Sequence, residues 1–357
     1  MSINSRKQIK GTMEAYSSAD IRARTDYLRG VAIVVIMIGH YWAFYISEAI
    51  YNYPDGIVGL FFVLSGYGIY SSFQRNDPLS GNNFLSYLWR RALRIYPLYW
   101  VSLLMFAYTR HTWPALTTWL AVPWIQAPSI YWFVTSLMQC YLLAPIFYAI
   151  QKRVGLGYAA ALLLALMLGV HGTYAGLLLP QSKNFFIYRF MFMGHLFLFL
   201  GGMLLPQAVT QLKTRLLTSK KLCLVCLLVF AVLVHFTRFQ SLLFTNSVVF
   251  IMPLFIVIKL LLCLLILTAK PLLPVRKLLV FLGRHSYSLY LFHVPFFTVL
   301  ARVGIINRGS LASVAYTLAL FPLFAWGCVY ADRLAAASLR FCTIDFLRRW
   351  GMLPKQP

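Results

Sequence analysis

The sequence predicts an all-α protein: a polytopic transmembrane helical bundle of about ten spans with both termini cytoplasmic. Three observations carry this. Hydrophobic residues fill 61% of the 357 positions and charged residues only 11%, about half the charged share of a soluble domain, and mean hydropathy is +0.73. The apolar residues fall in blocks of about 20, the length an α-helix needs to cross a bilayer. Lys and Arg are distributed unevenly between the connections, as orientation in a membrane requires.

The blocks lie near 27–48, 56–73, 90–109, 131–150, 154–171, 188–205, 221–237, 244–268, 285–304 and 311–331. The stretch Trp113–Ile125 is too short to span and is interrupted by Pro114 and Pro123, which predicts an interfacial or re-entrant segment. Residues 1–26 are polar, and no small-residue cleavage site follows the first apolar run, so the first helix is expected to be retained. With no repeat and no Ser/Gly-rich or Pro-rich linker, the expected organisation is an N-terminal cytoplasmic tail over 1–26, one membrane domain over 27–332 and a cytoplasmic tail over 333–357.

With the N-terminus inside, the outer connections receive only Arg110, Lys183, Arg189, Arg238, Arg302 and Arg308 of the 32 basic residues, and Lys259 falls within a span. The formal net charge of +24 is thereby explained by orientation and by anionic lipid at the cytoplasmic leaflet, with no nucleic-acid partner implied. The surplus also suits an anionic cytoplasmic ligand. Cys140, Cys223, Cys226, Cys263 and Cys328 lie in or beside spans, and Cys342 lies in the C-terminal tail. No disulfide or metal site is expected from them.

Ionisable groups inside a span are costly and mark function by default. Asp26, Glu48, Asp55 and Asp332 all fall at span ends, which argues against paired-carboxylate catalysis and a carboxylate proton relay. Histidine remains. His40 follows Arg29 by 11 positions; on an α-helix that leaves an angular offset of about 20° and a rise of about 16 Å. One face therefore carries an arginine near the cytoplasmic surface, able to hold a phosphate through bidentate hydrogen bonds, and an imidazole deeper in. The imidazole is either a general base or a histidine hydrogen-bonded between helices for packing.

Ser65 and Gly66 fall near the middle of the second span, at the expected depth of His40. They are either a small-residue helix contact or a cavity wall with Ser65 as a hydrogen-bond donor. Arg91 and Arg94 share a helix face beside Arg90 and Tyr96; together they are a snorkelling anchor or a phosphate pocket completed by Arg29. His293 lies well inside the ninth span with Ser286 and Tyr287 nearer the cytoplasm, in a packing, gating or chemical role. His195, His235, His171 and Lys259 lack a patterned partner, and His285 and His111 read as interfacial.

Taken in order, these segments resemble acyltransferase family 3, the membrane O-acyltransferases. The resemblance rests on Asp26-Tyr27-Leu28-Arg29-Gly30 with His40 after it, on Phe61-Phe62-Val63-Leu64-Ser65-Gly66, and on Arg91-x-x-Arg94-Ile95-Tyr96-Pro97. Trp132 through Pro145 and Ser286-Tyr287-Ser288-Leu289-Tyr290-Leu291-x-His293 complete it. It implies an enzyme that takes an acyl group, usually acetyl, from cytoplasmic acyl-CoA and delivers it to a hydroxyl of a bacterial envelope glycan such as lipopolysaccharide O-antigen or exopolysaccharide. Its partners are then acyl-CoA, a glycan acceptor that is free or lipid-linked, and membrane lipids. It implies no tightly bound cofactor and a place in the inner membrane.

Carried over by position, the resemblance makes His40 the catalytic histidine, Arg29 its motif partner, and Arg91 and Arg94 the paired arginines. Ser65 joins the catalytic set, while Arg90, Tyr96, Ser286, Tyr287 and His293 join the candidate substrate-binding set. Two positions depart from the family pattern: Gly59 and Leu137 stand where many members carry an acid, so no orienting acid is assigned to His40. A transporter or flippase for a glycan, and a non-catalytic partner of a polysaccharide synthase, are the competing readings; consumption of a thioester separates them from the enzyme.

Overall fold

The computed structural model describes residues 18–46, 53–80, 83–121, 131–178, 192–211, 256–263, 276–307 and 309–349. Every regular element among them is helical, with no strand. The order is α1 (Ser18–Tyr45), α2 (Tyr53–Phe73), α3 (Asn83–Arg110), the one-turn α4 (Leu116–Trp119), α5 (Trp132–Leu178) and α6 (Phe192–Gln211). After the helical stretch 256–263 come α7 (Arg276–Arg284), α8 (Ser286–Arg302) and α9 (Leu311–Arg349). The expected span 221–237 and most of 244–268 lie outside the described residues, as do His235, Cys223 and Cys226. The buried thiols of Cys140, Cys263 and Cys328 are free.

Two of these helices are long and apolar enough to cross a membrane, Trp132–Val170 and Leu311–Ala337, and Ile57–Phe73 and His195–Val209 are shorter apolar helices. Their outward faces are apolar as well: Leu311, Tyr316, Leu318, Leu323 and Trp326 of α9 are exposed. A continuous apolar stripe of this kind suits lipid rather than water.

A 47-residue α5 is too long for one crossing, and it is broken at Gly155, which has φ 81 and ψ 174. A positive φ of this kind suits glycine, and it falls at the start of the expected span 154–171, just beyond the end of 131–150. Beside the break, Lys152 donates to Asp77 of the α2–α3 connection at 2.7 Å, and the ammonium holds that carboxyl below its ordinary range. Gln151 donates to Gln207 of α6 at 3.1 Å. The C-terminal end of α2, the break in α5 and the end of α6 therefore lie at one level.

Two helix pairs approach closely enough to exclude a side chain. A Cβ on Gly66 of α2 would stand 1.9 Å from the Phe199 carbonyl oxygen of α6, and one on Gly202 would stand 2.1 Å from the Val63 oxygen. Gly66 thus takes the packing alternative. Likewise α1 and α7 meet where a Cβ on Gly30 would lie 1.9 Å from the Leu279 oxygen, and one on Gly283 1.7 Å from the Asp26 oxygen. By hydropathy, 276–284 falls between two expected spans and carries Arg276, Lys277 and Arg284. The structure makes it an amphipathic helix with Leu279, Leu282 and Gly283 buried.

After α3 the chain turns at His111 (φ 52) and runs back beside it. Tyr96 donates to the Leu120 carbonyl at 2.8 Å, Tyr99 to the Thr118 carbonyl at 2.5 Å, and the Trp100 indole N–H to the Trp119 carbonyl at 2.9 Å. These donors lie roughly 15–21 Å back from the end of α3. The described part of Trp113–Ile125 thus folds back along α3. Three side-chain donors satisfy the carbonyls that a one-turn helix leaves open, as irregular backbone at membrane depth requires.

Candidate active site

Helices α1, α2, α3 and α8 bring the site residues together. Arg29 of α1 donates through Nη1 to Asp26 Oδ1 at 3.3 Å and through Nη2 to the Leu64 carbonyl of α2 at 3.3 Å. Asp26, buried by the close approach of α7, also accepts from Arg284 Nε at 3.4 Å. In sequence this carboxylate falls at a span end and opens the Asp26–Gly30 motif. In the folded chain it fixes the Arg29 end of the Arg29–His40 face.

Arg91 of α3 lies over the rings of Tyr87 and Tyr141, 5.6 and 5.8 Å from their centroids, and Tyr87 donates to the Tyr141 carbonyl at 3.0 Å. The aromatic faces hold a guanidinium there, while its Nε is buried with no hydrogen-bond partner among the described residues. Exposed Arg94 is close enough for its charge to act on both Arg29 and Arg91. Three guanidiniums gathered this way repel one another, so the cluster suits an anion with several charged oxygens. Arg90 is exposed at its edge.

Deeper along α1, His40 meets His293 of α8. The Nδ1 of His40 is 2.7 Å from the Nε2 of His293; the ring centroids are 5.0 Å apart and the planes 11° from parallel, so the two imidazoles meet edge to edge. His293 is buried, and its Nδ1 is 2.6 Å from the Tyr290 carbonyl oxygen. Tyr290 and Phe297 flank its ring, and Tyr41 packs on Phe297. From the Arg29 Cα to that of His40 the helix rises about 16 Å.

A domain described as an acyltransferase domain matches residues 22–333 of the chain. The chain belongs to acyltransferase family 3. As an acyltransferase, it is expected to carry a group that activates a nucleophile and a surface that holds the donor. No curated protein and no solved structure matches it.

Several expected site residues take other places in this acyltransferase. The Arg29–Leu64 hydrogen bond sets Ser65 at the level of the arginine, not of His40, and Ser65 makes no side-chain hydrogen bond among the described residues. Tyr96 holds the segment that folds back along α3. Tyr287 donates to the Ile95 carbonyl at 2.9 Å, tying α8 to α3 between the arginines and the histidines. Ser286 is buried at the start of α8.

The neighbouring Ser288 was not singled out; it donates to Asp332 of α9 at 2.9 Å, and the same carboxylate binds His285. His195 is packed between Phe62 and Trp132. Lys259 lies over Gly59, 3.3 Å from where a Cβ would sit. Leu137 is buried. Among the described residues, no group of His, Cys, Asp and Glu clusters as metal ligands would.

Proposed function

We propose that the protein transfers an acyl group, in the first instance acetyl, from cytoplasmic acyl-CoA to a hydroxyl of a bacterial envelope glycan, working as a multi-pass protein of the inner membrane. One observation carries this reading: a cluster of three arginines and, about 16 Å further along α1, a pair of histidines in contact. The arginines suit the phosphates of CoA. Its flexible arm reaches from there toward His40, which takes the proton of the acceptor hydroxyl. The glycan is finished on the far side of the membrane, so the two substrates meet from opposite faces. Purified protein should consume acetyl-CoA and release free thiol only when a hydroxyl acceptor is supplied. A protein that moves glycan across vesicles without consuming thioester would overturn this.

Arg91→Ala with Arg94→Ala should weaken CoA binding by tenfold or more, since each lost charge-assisted hydrogen bond is worth about 1.5–3 kcal/mol. Lys at both positions should restore only part, because an ammonium makes no bidentate contact. Calorimetric titration with CoA reads this directly; equal affinity in the double Ala variant returns both residues to anchoring.

Sidedness is testable separately. Single cysteines placed along the Arg29–His40 face of a Cys-free variant should react with membrane-impermeant thiol reagents from the cytoplasmic side of sealed vesicles, and CoA should slow the labelling. Labelling from the outer side alone would reverse the donor route.

A further inference from the structure

The hydrogen bonds around His40 determine which of its nitrogens faces the reaction. A backbone carbonyl only accepts, so the short contact between His293 Nδ1 and the Tyr290 oxygen places the His293 proton on Nδ1. His293 is 2% exposed, and a second proton would make it a buried cation with the full desolvation cost. Its Nε2 is therefore an acceptor. The atom 2.7 Å away is His40 Nδ1, which must then be the donor, and the lone pair of His40 falls on Nε2.

We infer that His293 is the positioning residue of the site, holding His40 in the Nδ1–H tautomer so that His40 Nε2 is the atom that takes the acceptor proton. In many histidine-based catalysts a carboxylate accepts from Nδ1. Here the acceptor is a second imidazole, itself anchored on the backbone of α8. The arrangement is rigid, since neither ring can rotate about its χ2 without breaking the chain of hydrogen bonds.

This rests on the acyl-transfer reading, and the step balances as follows. His40 Nε2 removes the hydroxyl proton as the oxygen attacks the thioester carbonyl. The C–S bond breaks, and the departing CoA sulfur takes the proton back from the imidazolium. One ester and one thiol replace one alcohol and one thioester, and His293 keeps its own proton throughout.

Solid-state NMR of ¹⁵N-histidine-labelled protein in proteoliposomes, with the His40 signals identified from their loss in His40→Ala, decides the tautomer without any substrate. The expected result is His40 protonated on Nδ1 in the wild type and a mixture of tautomers in His293→Leu. His40 protonated on Nε2 alone in the wild type overturns the proposal, even if the enzyme is active.

Activity supplies a second test. His293→Leu should lower kcat by about tenfold or more without a matching change in KM for acetyl-CoA, and His293→Gln, whose side-chain oxygen still accepts, should recover part of the loss. In His293→Glu, a carboxylate beside His40 favours the imidazolium, so the acid limb of the pH–rate profile should move up by about one unit or more. Among the described residues, the titratable groups facing the pair include Tyr290 and, beyond Phe297, Tyr41. A pH profile unmoved in a folded, active His293→Glu enzyme reduces His293 to packing. If the wild type consumes no thioester, the acyl-transfer reading fails, while the NMR result on the tautomer stands by itself.

Discussion

His40→Ala is expected to lower acyl transfer by about 10²-fold or more while the protein still inserts, accumulates and melts near the wild-type temperature. A positioned general base contributes roughly 10²–10⁴ in rate, which at 1.36 kcal/mol per tenfold is about 2.7–5.4 kcal/mol of transition-state stabilisation. The structural cost is much smaller. His40 is half-buried, and its hydrogen bond to His293 is between neutral groups, worth about 1 kcal/mol net. The α1 helix is held by other residues, among them the fully buried Ile33 and Ile36 and the Gly30 contact with α7. Catalysis and folding are thus separable at this position. Thioester consumption and thermal unfolding, measured on the same purified sample, distinguish them; wild-type turnover in a well-folded His40→Ala protein would remove the histidine from the mechanism.

The Arg29–His40 face was legible because an α-helix of known pitch relates two residues 11 apart wherever the helix sits. The Arg91–Arg94 pair was legible for the same reason, and Gly66 because small residues in an apolar span most often serve a helix contact. None of these needs knowledge of which helices are neighbours. The partner of His40 does need it: His293 is 253 positions away, and nothing in either segment specifies that α1 and α8 touch.

The depth of Ser65 failed on a related point. Matching two antiparallel spans by their apolar ends assumes that both begin at one plane. In the structure, α1 starts at Ser18 and α7 packs against its lower half, so the arginine, not the histidine, comes level with Leu64 and Ser65. The pattern that gave α7 away was present in Leu279, Leu282 and Gly283, spaced three and four apart. It was masked by Arg276, Lys277 and Arg284, which read as a positive-inside loop. Asp26 and Asp332 show the same limit. At the end of a span a carboxylate looks solvated, and only the approach of α7 in one case and His285 with Ser288 in the other shows each to be a structural anchor.

The α2–α6 crossing yields a large stability effect from the smallest possible change. Gly66→Ala adds one methyl, yet that carbon would stand 1.9 Å from the Phe199 carbonyl oxygen, far inside van der Waals contact. The obstacle is backbone on a neighbouring helix, so no rotamer change relieves it and the helices must separate by an ångström or more. Overpacking of this kind typically costs about 1–3 kcal/mol. Here the upper end or beyond is expected, because separation also loosens Phe62 and Phe199, both fully buried nearby. Gly202→Ala should cost a similar amount against the Val63 oxygen, 2.1 Å away. The double variant should cost clearly less than the sum, since one separation relieves both clashes. Gly157→Ala is the control: that glycine is helical, exposed and has nothing within 4 Å, so alanine there should be neutral or stabilise by up to about 1 kcal/mol. Melting of the four variants beside the wild type in one lipid system tests the set. If Gly66→Ala melts with the wild type, the close crossing of α2 on α6 is wrong, and with it the placement of the wall that carries Leu64 to Arg29.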